Sequence, residues 1–151
     1  IVDAGMKELY ETGWMHNRVR MIVGSFLTKN LLIHWKEGER WFFDCLVDAD
    51  VGSNSAGWQW ISGSGADASP YFRVFNPILQ GKKFDPKGDY VRKFLPSLRE
   101  IPDKFVHSPW EMSSQEQEKY NFFIEKDYLL PIVDLGETRK RALSAFKSIS
   151  E

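Results

Sequence analysis

The stretch WMHNRVRMIVGSFLTKNLLI, residues 14–33, decides the fold class of this chain. Its apolar side chains recur every three to four residues, which is the spacing of one face of an α-helix. The positions on this face are Met15, Val19, Ile22, Val23, Phe26, Leu27 and Leu31. The pattern predicts a long amphipathic helix over residues 14–33 that buries one face in a hydrophobic core.

Helical patterns continue on both sides of this stretch. We expect further helices over residues 3–12 (closed by Gly13), 37–47, around Trp58 and Trp60, 85–95, 114–122 and 137–149. The face of the helix over 37–47 that we expect to be buried carries Trp41, Phe42, Cys45 and Leu46. Loop or irregular structure is expected over residues 48–55, 70–83 and 100–112. No segment alternates apolar and polar residues as a strand would, so the chain is predicted to be all-α.

The composition is that of one globular domain in a reducing compartment. The chain has 151 residues, of which 42% are hydrophobic, and its formal net charge is -1. It carries no overall field for a nucleic acid, so any basic binding surface must be local. Its single cysteine excludes an internal disulfide, and no apolar run approaches the roughly 20 residues that span a bilayer. The first residues resemble no signal peptide and include no initiator Met, so we expect the chain to begin inside a larger protein.

Four side chains of unlike chemistry share one face at the start of the predicted helix over 14–33. Trp14, Asn17, Arg18 and Met21 lie three to four residues apart and offer an aromatic ring, an amide, a guanidinium and a thioether. An ordinary helix start, with the arginine in solvent and the methionine in the core, explains such a pattern in most proteins. An amide on a core-facing stripe needs a polar partner, however, and a bound ligand is such a partner.

Two carboxylates and an amide follow in the next predicted loop, at Asp48, Asp50 and Asn54. Their surroundings fail the calcium-loop pattern, since residues 52, 53 and 59 are not those that the loop requires. The three histidines have no metal-ligand spacing either, so we expect no metal site. A solvated loop is the default interpretation. A buried carboxylate would instead need a cation, and Arg18 and Arg20 are the candidates.

Tryptophans form a third group, at Trp35, Trp58 and Trp60. A core position is plausible for Trp35 and Trp58. Because Trp58 and Trp60 are two residues apart, they point to different sides of a helix and cannot both fill one core. A tryptophan at the mouth of a site can stack on a nucleobase, which contributes ~1–3 kcal/mol.

The stretch from Arg73 to Lys104 is locally basic. It holds eight Lys or Arg residues against four acidic ones, which contrasts with the slightly negative charge of the whole chain. A charged helix face in solvent is the more common meaning of such a stretch. A surface that follows the phosphates of a nucleic acid is the more specific one.

Taken in this order, these groups of residues resemble the photolyase/cryptochrome family. Residues 1–6, IVDAGM, are similar to its first signature, with Lys7 at a position where Arg or Ala is usual. Residues 17–22, NRVRMI, are similar to its second, followed by SFL at 25–27, Lys29, Leu31 and WK at 35–36, with Gly24 as a departure. The resemblance continues through DADVGSNSAGWQW (48–60), FRVFNPILQGKKFD (72–85), YVRKFLPSLR (90–99) and PW (109–110). It covers nearly the whole chain.

The resemblance implies the helical domain that holds FAD in the class I photolyases for cyclobutane pyrimidine dimers. Residues 1–151 would be the C-terminal part of that domain. The first part of the domain would lie upstream, together with an antenna domain that binds a pigment such as a folate or a deazaflavin. The resemblance further implies a monomeric protein of the bacterial cytoplasm that acts on damaged DNA containing pyrimidine dimers and has no membrane partner.

Roles at the flavin follow from the same resemblance. Asp48, Ala49 and Asp50 would meet the flavin and its ribityl chain. Arg20 would pair with Asp48, and Asn54 would face flavin N5. The implied residues of the electron chain that photoreduces the flavin are Trp58, as its inner member, and Trp35, as its middle member. Together with Asn54, these two tryptophans are the catalytic residues that the resemblance implies.

The resemblance also implies the residues that meet DNA. Asn17 and Arg18 would face the lesion, Met21 would pack on it, and Trp60 would be one wall of its pocket. Those contacting the DNA outside the pocket are Arg73 and Gln80.

Two of these positions separate members of the family. Photolyases for six-four photoproducts carry two histidines around positions 17 and 21, where this chain has Asn17 and Met21. Plant cryptochromes carry Asp at the position of Asn54, and an amide is a poor proton donor to a reduced flavin. The resemblance therefore implies light-driven electron transfer from reduced FAD to a cyclobutane dimer. The alternatives are a cryptochrome-type blue-light signalling flavoprotein and a helical DNA-binding module without flavin.

Overall fold

The computed structural model describes residues 1–67 and 72–149, and in these residues every regular element is helical. The α-helices are α1 Val2–Thr12, α2 Asn17–Ser25, α3 Trp35–Cys45, α4 Val51–Ser62, α5 Pro77–Phe84, α6 Asp89–Phe94, α7 Ser114–Lys119 and α8 Leu135–Ser148. A π-helix, Phe26–Asn30, continues α2. Short 3-10 turns lie at Pro96–Leu98, Asp103–Phe105 and Pro109–Glu111. The predicted all-α class is confirmed.

The helix that the sequence predicts over 14–33 is shorter and less regular than expected. It begins at Asn17, because the ring Nδ1 of His16 accepts the backbone N–H of Arg18 at 3.1 Å and caps the first turn. Its last turn is a π-turn, in which the N–H of Leu31 donates to the carbonyl of Phe26 at 3.0 Å.

Two further helices, α4 and α5, lie in segments that were expected to be loop or irregular, and each begins at a side-chain cap. α4 begins at Val51, within the predicted loop, since Asp50 Oδ1 accepts the N–H of Ser53 at 2.7 Å. α5 occupies a segment that was expected to be irregular. Its start carries an Asn76 cap, whose side chain accepts from Leu79, followed by proline at the first helical position.

Asp85 does not begin a helix, although its position before Pro86 predicted one. It ends α5, and its carboxylate accepts the N–H groups of Tyr90 and Val91, each at 3.1 Å. α6 starts only at Asp89, after Gly88, whose φ of 72° is in the left-handed region that glycine adopts most easily. The carboxylate therefore supports the start of α6 from four residues before it.

The buried apolar side chains form two groups. The first, which we call the α2 core, consists of Leu9, Met15, Val19, Val23, Phe42, Leu46, Trp58, Ile61 and Phe75. The second, the α6 core, consists of Ala4, Val91, Phe94, Leu95, Leu98, Ile101, Phe105, Val106, Met112 and Phe122. Trp41 belongs to neither group: it is 47% exposed, contrary to expectation, because α3 turns its neighbour Phe42 inward instead.

No helix within residues 1–67 and 72–149 is long and apolar enough to cross a membrane.

Candidate functional site

A cavity of about 480 Å³ opens between α2 and α4, and it gathers residues that the sequence singles out. Each helix turns one face to it, with side chains spaced three or four residues apart. α2 contributes Asn17, Arg20, Met21 and Gly24. α4 contributes Ser53, Asn54, Gly57, Trp58, Trp60 and Ile61, and α3 adds Phe42.

Glycines set the shape of this cavity. A Cβ on Gly24 would lie 2.9 Å from Ile61 Cγ2, so this glycine allows α2 to pass close to α4. A Cβ on Gly57 would meet no atom of the described residues within 4 Å, apart from its chain neighbours and its own helix backbone, so a side chain here would project into open space. The first glycine sets the distance between the helices, and the second preserves the space between them.

Trp58 is fixed in place on the floor of the cavity. It is 5% exposed, and its ring meets Phe42 edge to face at a centroid distance of 4.9 Å. The ring also lies directly on α3, where a Cβ at Gly38 would come within 2.1 Å of Trp58 Cη2. Only glycine at position 38 leaves room for the indole in this orientation.

Asn54 presents a defined amide to the cavity. Its Nδ2–H donates to the backbone carbonyl of Glu39 on α3 at 2.8 Å. One N–H of the side-chain amide is used in this way, so its second N–H and its carbonyl oxygen remain to donate and accept hydrogen bonds with a bound group.

Arg20 lines the cavity without the partner that was expected. Its Nε–H donates to the carbonyl of Met15 at 2.7 Å, and among the described residues it forms no ion pair with Asp48. A guanidinium has five N–H donors, so most of this group's donor capacity is not used by the described residues.

The acidic pair lies beside the cavity, not in its wall. Asp48 and Asp50 are exposed, and Ala49 is half-buried against the α2 core. Asp50 caps α4, and the N–H of Ser53 holds the pKa of its carboxyl below the usual value. The N-terminal turn of α4 therefore brings this charged carboxylate next to Ser53 and Asn54, which do line the cavity.

Arg18, Trp35, Arg73 and Gln80 also lie outside the cavity wall. The Arg18 guanidinium lies 4.7 Å from the ring centroid of Phe84, at the end of α5. Trp35 packs on the α2 core and stacks on His34 at 5.6 Å.

The two predicted DNA contacts differ in exposure. Arg73 has an exposed side chain, whereas Gln80 is half-buried and its Oε1 has no hydrogen-bond partner among the described residues.

The family resemblance gives thirteen residues a role at the flavin or at the DNA. The structure brings six of them into one cavity: Asn17, Arg20, Met21, Asn54, Trp58 and Trp60.

Several cavity residues were missed by sequence reasoning. Ser53, Gly57 and Ile61 lie at helical spacing from Asn54 and Trp58, and this spacing could have found them if α4 had been predicted to start at residue 51. Gly38 carries no local signal, because its role depends on a contact with a residue twenty positions away.

A larger cavity, of about 710 Å³, lies between the N-terminal ends of α1, α5 and α8. Its wall is mostly apolar and contains none of the predicted site residues. His107 borders it, and burial lowers the pKa of that imidazole. No group of three or more His, Cys, Asp or Glu side chains in the described part of the chain could hold a metal ion. The chemistry of the lining thus favours the smaller cavity as the functional site.

Comparisons with known proteins agree with the resemblance. The family model described as the FAD binding domain of DNA photolyase matches residues 1–148. The deoxyribodipyrimidine photo-lyase of Agrobacterium fabrum is 58% identical over 151 residues, which are 100% of this chain and 32% of that protein. The chain thus spans about a third of the length of this curated relative. The expected FAD-binding domain is confirmed.

Two solved structures share the fold. A bacterial class III photolyase from Agrobacterium tumefaciens superposes with a TM-score of 0.92 and 57% identity, over 97% of this chain and 30% of that one. The cryptochrome of Synechocystis sp. PCC6803 superposes with a TM-score of 0.88 and 40% identity, over 93% of this chain and 29% of that one.

Proposed function

Because the chain belongs to the family of the FAD-binding domain of DNA photolyase, we propose that it is the C-terminal part of that domain in a light-driven DNA repair enzyme. The substrate is DNA that contains cyclobutane pyrimidine dimers. The observation that carries the proposal is the cavity between α2 and α4. It joins flavin-side residues, Arg20 and Asn54, to lesion-side residues, Met21 and Trp60.

FAD is the cofactor of this domain family, and the residues of the cavity fit a flavin. The carbonyl of Asn54 can accept a hydrogen bond from a ring N–H, and the Arg20 guanidinium can donate to a ring oxygen. The open wall at Gly57 is a surface against which a flat ring can lie. Asp50, at the cavity edge, can accept from hydroxyl groups of the ribityl chain. When bound, FAD supplies the electron-transfer chemistry of the reaction.

The lesion enters the same cavity from the side of Asn17, Met21 and Trp60. Flipping the damaged bases out of a duplex costs a few kcal/mol, which is less than the cost of flipping intact, paired bases. Stacking of a flipped base on the Trp60 ring contributes ~1–3 kcal/mol, which offsets part of that cost. Met21 supplies a polarizable contact, and the exposed amide of Asn17 can form hydrogen bonds with base edges.

The surface outside the cavity binds the DNA backbone. Arg18 on α2 supplies positive charge for phosphates. Arg73 and Gln80, on the locally basic stretch, supply a second positive charge and an amide. Such contacts place the duplex but do not distinguish damaged from undamaged DNA.

Trp58 and Trp35 serve the supply of electrons to the cofactor. Trp58 forms part of the cavity floor, and both rings pack in or on the α2 core. We infer that an electron passes from Trp35 through Trp58 to a group bound in the cavity.

Blue-light signalling is the second candidate function, and the likeness to the Synechocystis cryptochrome favours it. The amide of Asn54 favours repair, since an aspartic acid at this position could protonate a reduced flavin and an amide is a poor acid. Membership of class I stays a prediction, because one of the similar structures is a class III photolyase.

The deciding experiment is a repair assay with the full-length protein, reduced and exposed to blue light, on an oligonucleotide with one cyclobutane dimer. We expect the dimer to be converted to two pyrimidines, with no conversion in the dark. A protein that holds FAD and leaves the dimer intact under light would assign the chain to the signalling function instead.

A further inference from the structure

Lys29 is a buried lysine without an ion-pair partner among residues 1–67 and 72–149. Its residue is 3% exposed, and its Nζ lies 4.7 Å from the ring centroid of Phe72. Its hydrogen-bond partner is the backbone carbonyl of Arg73, at 2.6 Å and 44 residues along the chain. Burial of an unpaired ammonium is costly, so its presence calls for a compensating role.

The π-helix aims this side chain at the segment 72–75. In its widened turn, both Lys29 and the neighbouring Asn30 are buried. The Asn30 amide donates to Thr138 Oγ1 on α8 at 2.9 Å, and the Lys29 ammonium donates to the carbonyl of Arg73. Such π-turns are frequent at functional sites because they redirect side chains within a helix.

A second hydrogen bond holds the same segment. Ser25, four residues before Lys29 and fully buried, accepts the N–H of Phe75 through its Oγ at 3.0 Å. Phe72 stacks on Phe146 of α8 with a centroid distance of 4.3 Å. The backbone around Arg73 is therefore attached on both sides, while the Arg73 side chain itself is exposed.

We propose that Lys29 is a positioning residue for DNA binding, which fixes the backbone of Arg73 and keeps the Arg73 guanidinium turned towards the DNA phosphates. The inference rests on the proposed function. The ammonium holds the Arg73 carbonyl, and as a like charge it repels the guanidinium away from the interior. The backbone that carries the guanidinium is thus fixed before DNA arrives, so less conformational entropy is lost when a phosphate binds.

The electrostatic surroundings agree with this arrangement. Burial, and then the charge of Arg73, lower the pKa of Lys29 to about 8. The two cations are therefore close enough to influence each other.

The test measures how binding to a dimer-containing duplex depends on salt, with full-length Lys29→Met, Arg73→Ala and the double variant. Loss of one phosphate contact in Arg73→Ala should reduce the slope of log K against log salt by about 0.9, or about fivefold in affinity at 0.15 M salt. Lys29→Met should reduce the slope in the same direction and by no more than this. The double variant should bind no more weakly than Arg73→Ala, because Lys29 acts only through Arg73.

Two results would overturn the inference in distinguishable ways. An unchanged slope in Lys29→Met, beside a reduced slope in Arg73→Ala, or additive losses in the double variant, would refute the positioning role alone. An unchanged slope in Arg73→Ala would refute the positioning role together with the phosphate contact that the proposed function assigns to Arg73.

Matched variants separate positioning from folding. Lys119→Met removes the same charge from an exposed position on α7 and should leave the slope unchanged. Flavin content and the thermal midpoint show whether each variant is folded. If Lys29→Met does not retain flavin, Lys29→Gln keeps a donor for the Arg73 carbonyl without the charge. It should then reduce the slope by less than Arg73→Ala does, and an unchanged slope would again refute the inference.

Discussion

Two arginines show how differently the α2 and α6 regions use their polar groups. Arg92 in α6 donates to the backbone carbonyls of Lys87, Leu98 and Ile101 and pairs with Asp103 at 2.9 Å. Arg20 in α2 donates to one carbonyl and faces a cavity with the rest of its guanidinium. One arginine organises the protein's own loops, and the other keeps donors for a ligand.

The apolar surroundings differ in the same sense. In the α2 region, Gly24 and Gly57 border the cavity, and Gly38 lets an indole lie directly on a helix. In the α6 region, bulky side chains surround the contact between α1 and α6, where the carboxylate of Asp85 is occupied by backbone N–H groups. Val91, Leu95, Leu98 and Val106 of the α6 core line the larger, mostly apolar cavity. The polar groups that are suited to bind a ligand line the smaller cavity of the α2 region, so we assign ligand binding to that region.

The largest expected effect is the loss of bound FAD when the two carboxylates beside the cavity are removed. The double substitution Asp48→Ala and Asp50→Ala in the full-length protein should abolish retention of FAD, because it removes both carboxylates beside the flavin-side residues. The measurement is the ratio of flavin to protein absorbance after purification.

Asp134→Ala is the matched control for this loss. Asp134 caps α8 as Asp50 caps α4, with Oδ1 accepting the N–H of Glu137 at 2.8 Å, but it does not border the smaller cavity. It should weaken its helix and keep the flavin. Normal flavin content in the Asp48/Asp50 variant would show that neither carboxylate is needed for the cofactor.

The two arginines provide the next test. Arg92→Met leaves three carbonyls without their donor and should lower the free energy of unfolding by about 2–3 kcal/mol. The flavin affinity of the folded protein should not change. Arg20→Met should do the reverse, lowering flavin affinity with a smaller effect on unfolding. Denaturant midpoints and flavin titration of both variants measure the difference, and equal effects on both quantities would remove the contrast.

Trp60 tests the lesion side of the same cavity. Trp60→Ala should weaken binding to dimer-containing DNA by ~1–3 kcal/mol, because a flipped base loses its stacking partner. Binding to undamaged DNA should change little, since no flipped base meets the ring. Binding isotherms for the two DNAs provide the measurement. A variant that holds its flavin and keeps its full preference for damaged DNA would refute the pocket-wall role.

The smallest effect is expected at one of two glycines, Gly57, and Gly38 provides the contrast. Gly38→Ala forces a methyl group against the Trp58 ring and should destabilise the protein by about 1–3 kcal/mol. Gly57→Ala meets no neighbour and should stabilise α4 by up to about 1 kcal/mol through helix propensity. The same methyl group narrows the cavity, so flavin affinity should fall in Gly57→Ala. Thermal midpoints and flavin titration separate the two, and a stable Gly38→Ala protein would show that Trp58 can move.

The sequence correctly predicted those helices whose buried faces and ends follow from local residue patterns. The apolar spacing before Ser25 predicted α2, and Gly13 correctly ended α1. α5 was missed although its Asn76 cap and the following proline were visible in the sequence. The helix expected at Asp85 failed for another reason, since that carboxylate binds backbone groups five and six residues later, across the turn at Gly88.

The sequence by itself determined the all-α class, the family resemblance and the side chains that meet at helical spacing, such as Asn17 and Met21. These follow from the 3.6-residue period and from motifs that are contiguous in the chain. The tertiary structure alone decided that Arg20 has no carboxylate partner among the described residues, that Gly38 seats Trp58, and that Lys29 holds the backbone of Arg73. Each of these depends on how two helices or segments pack, and the local pattern of either one leaves that packing undetermined.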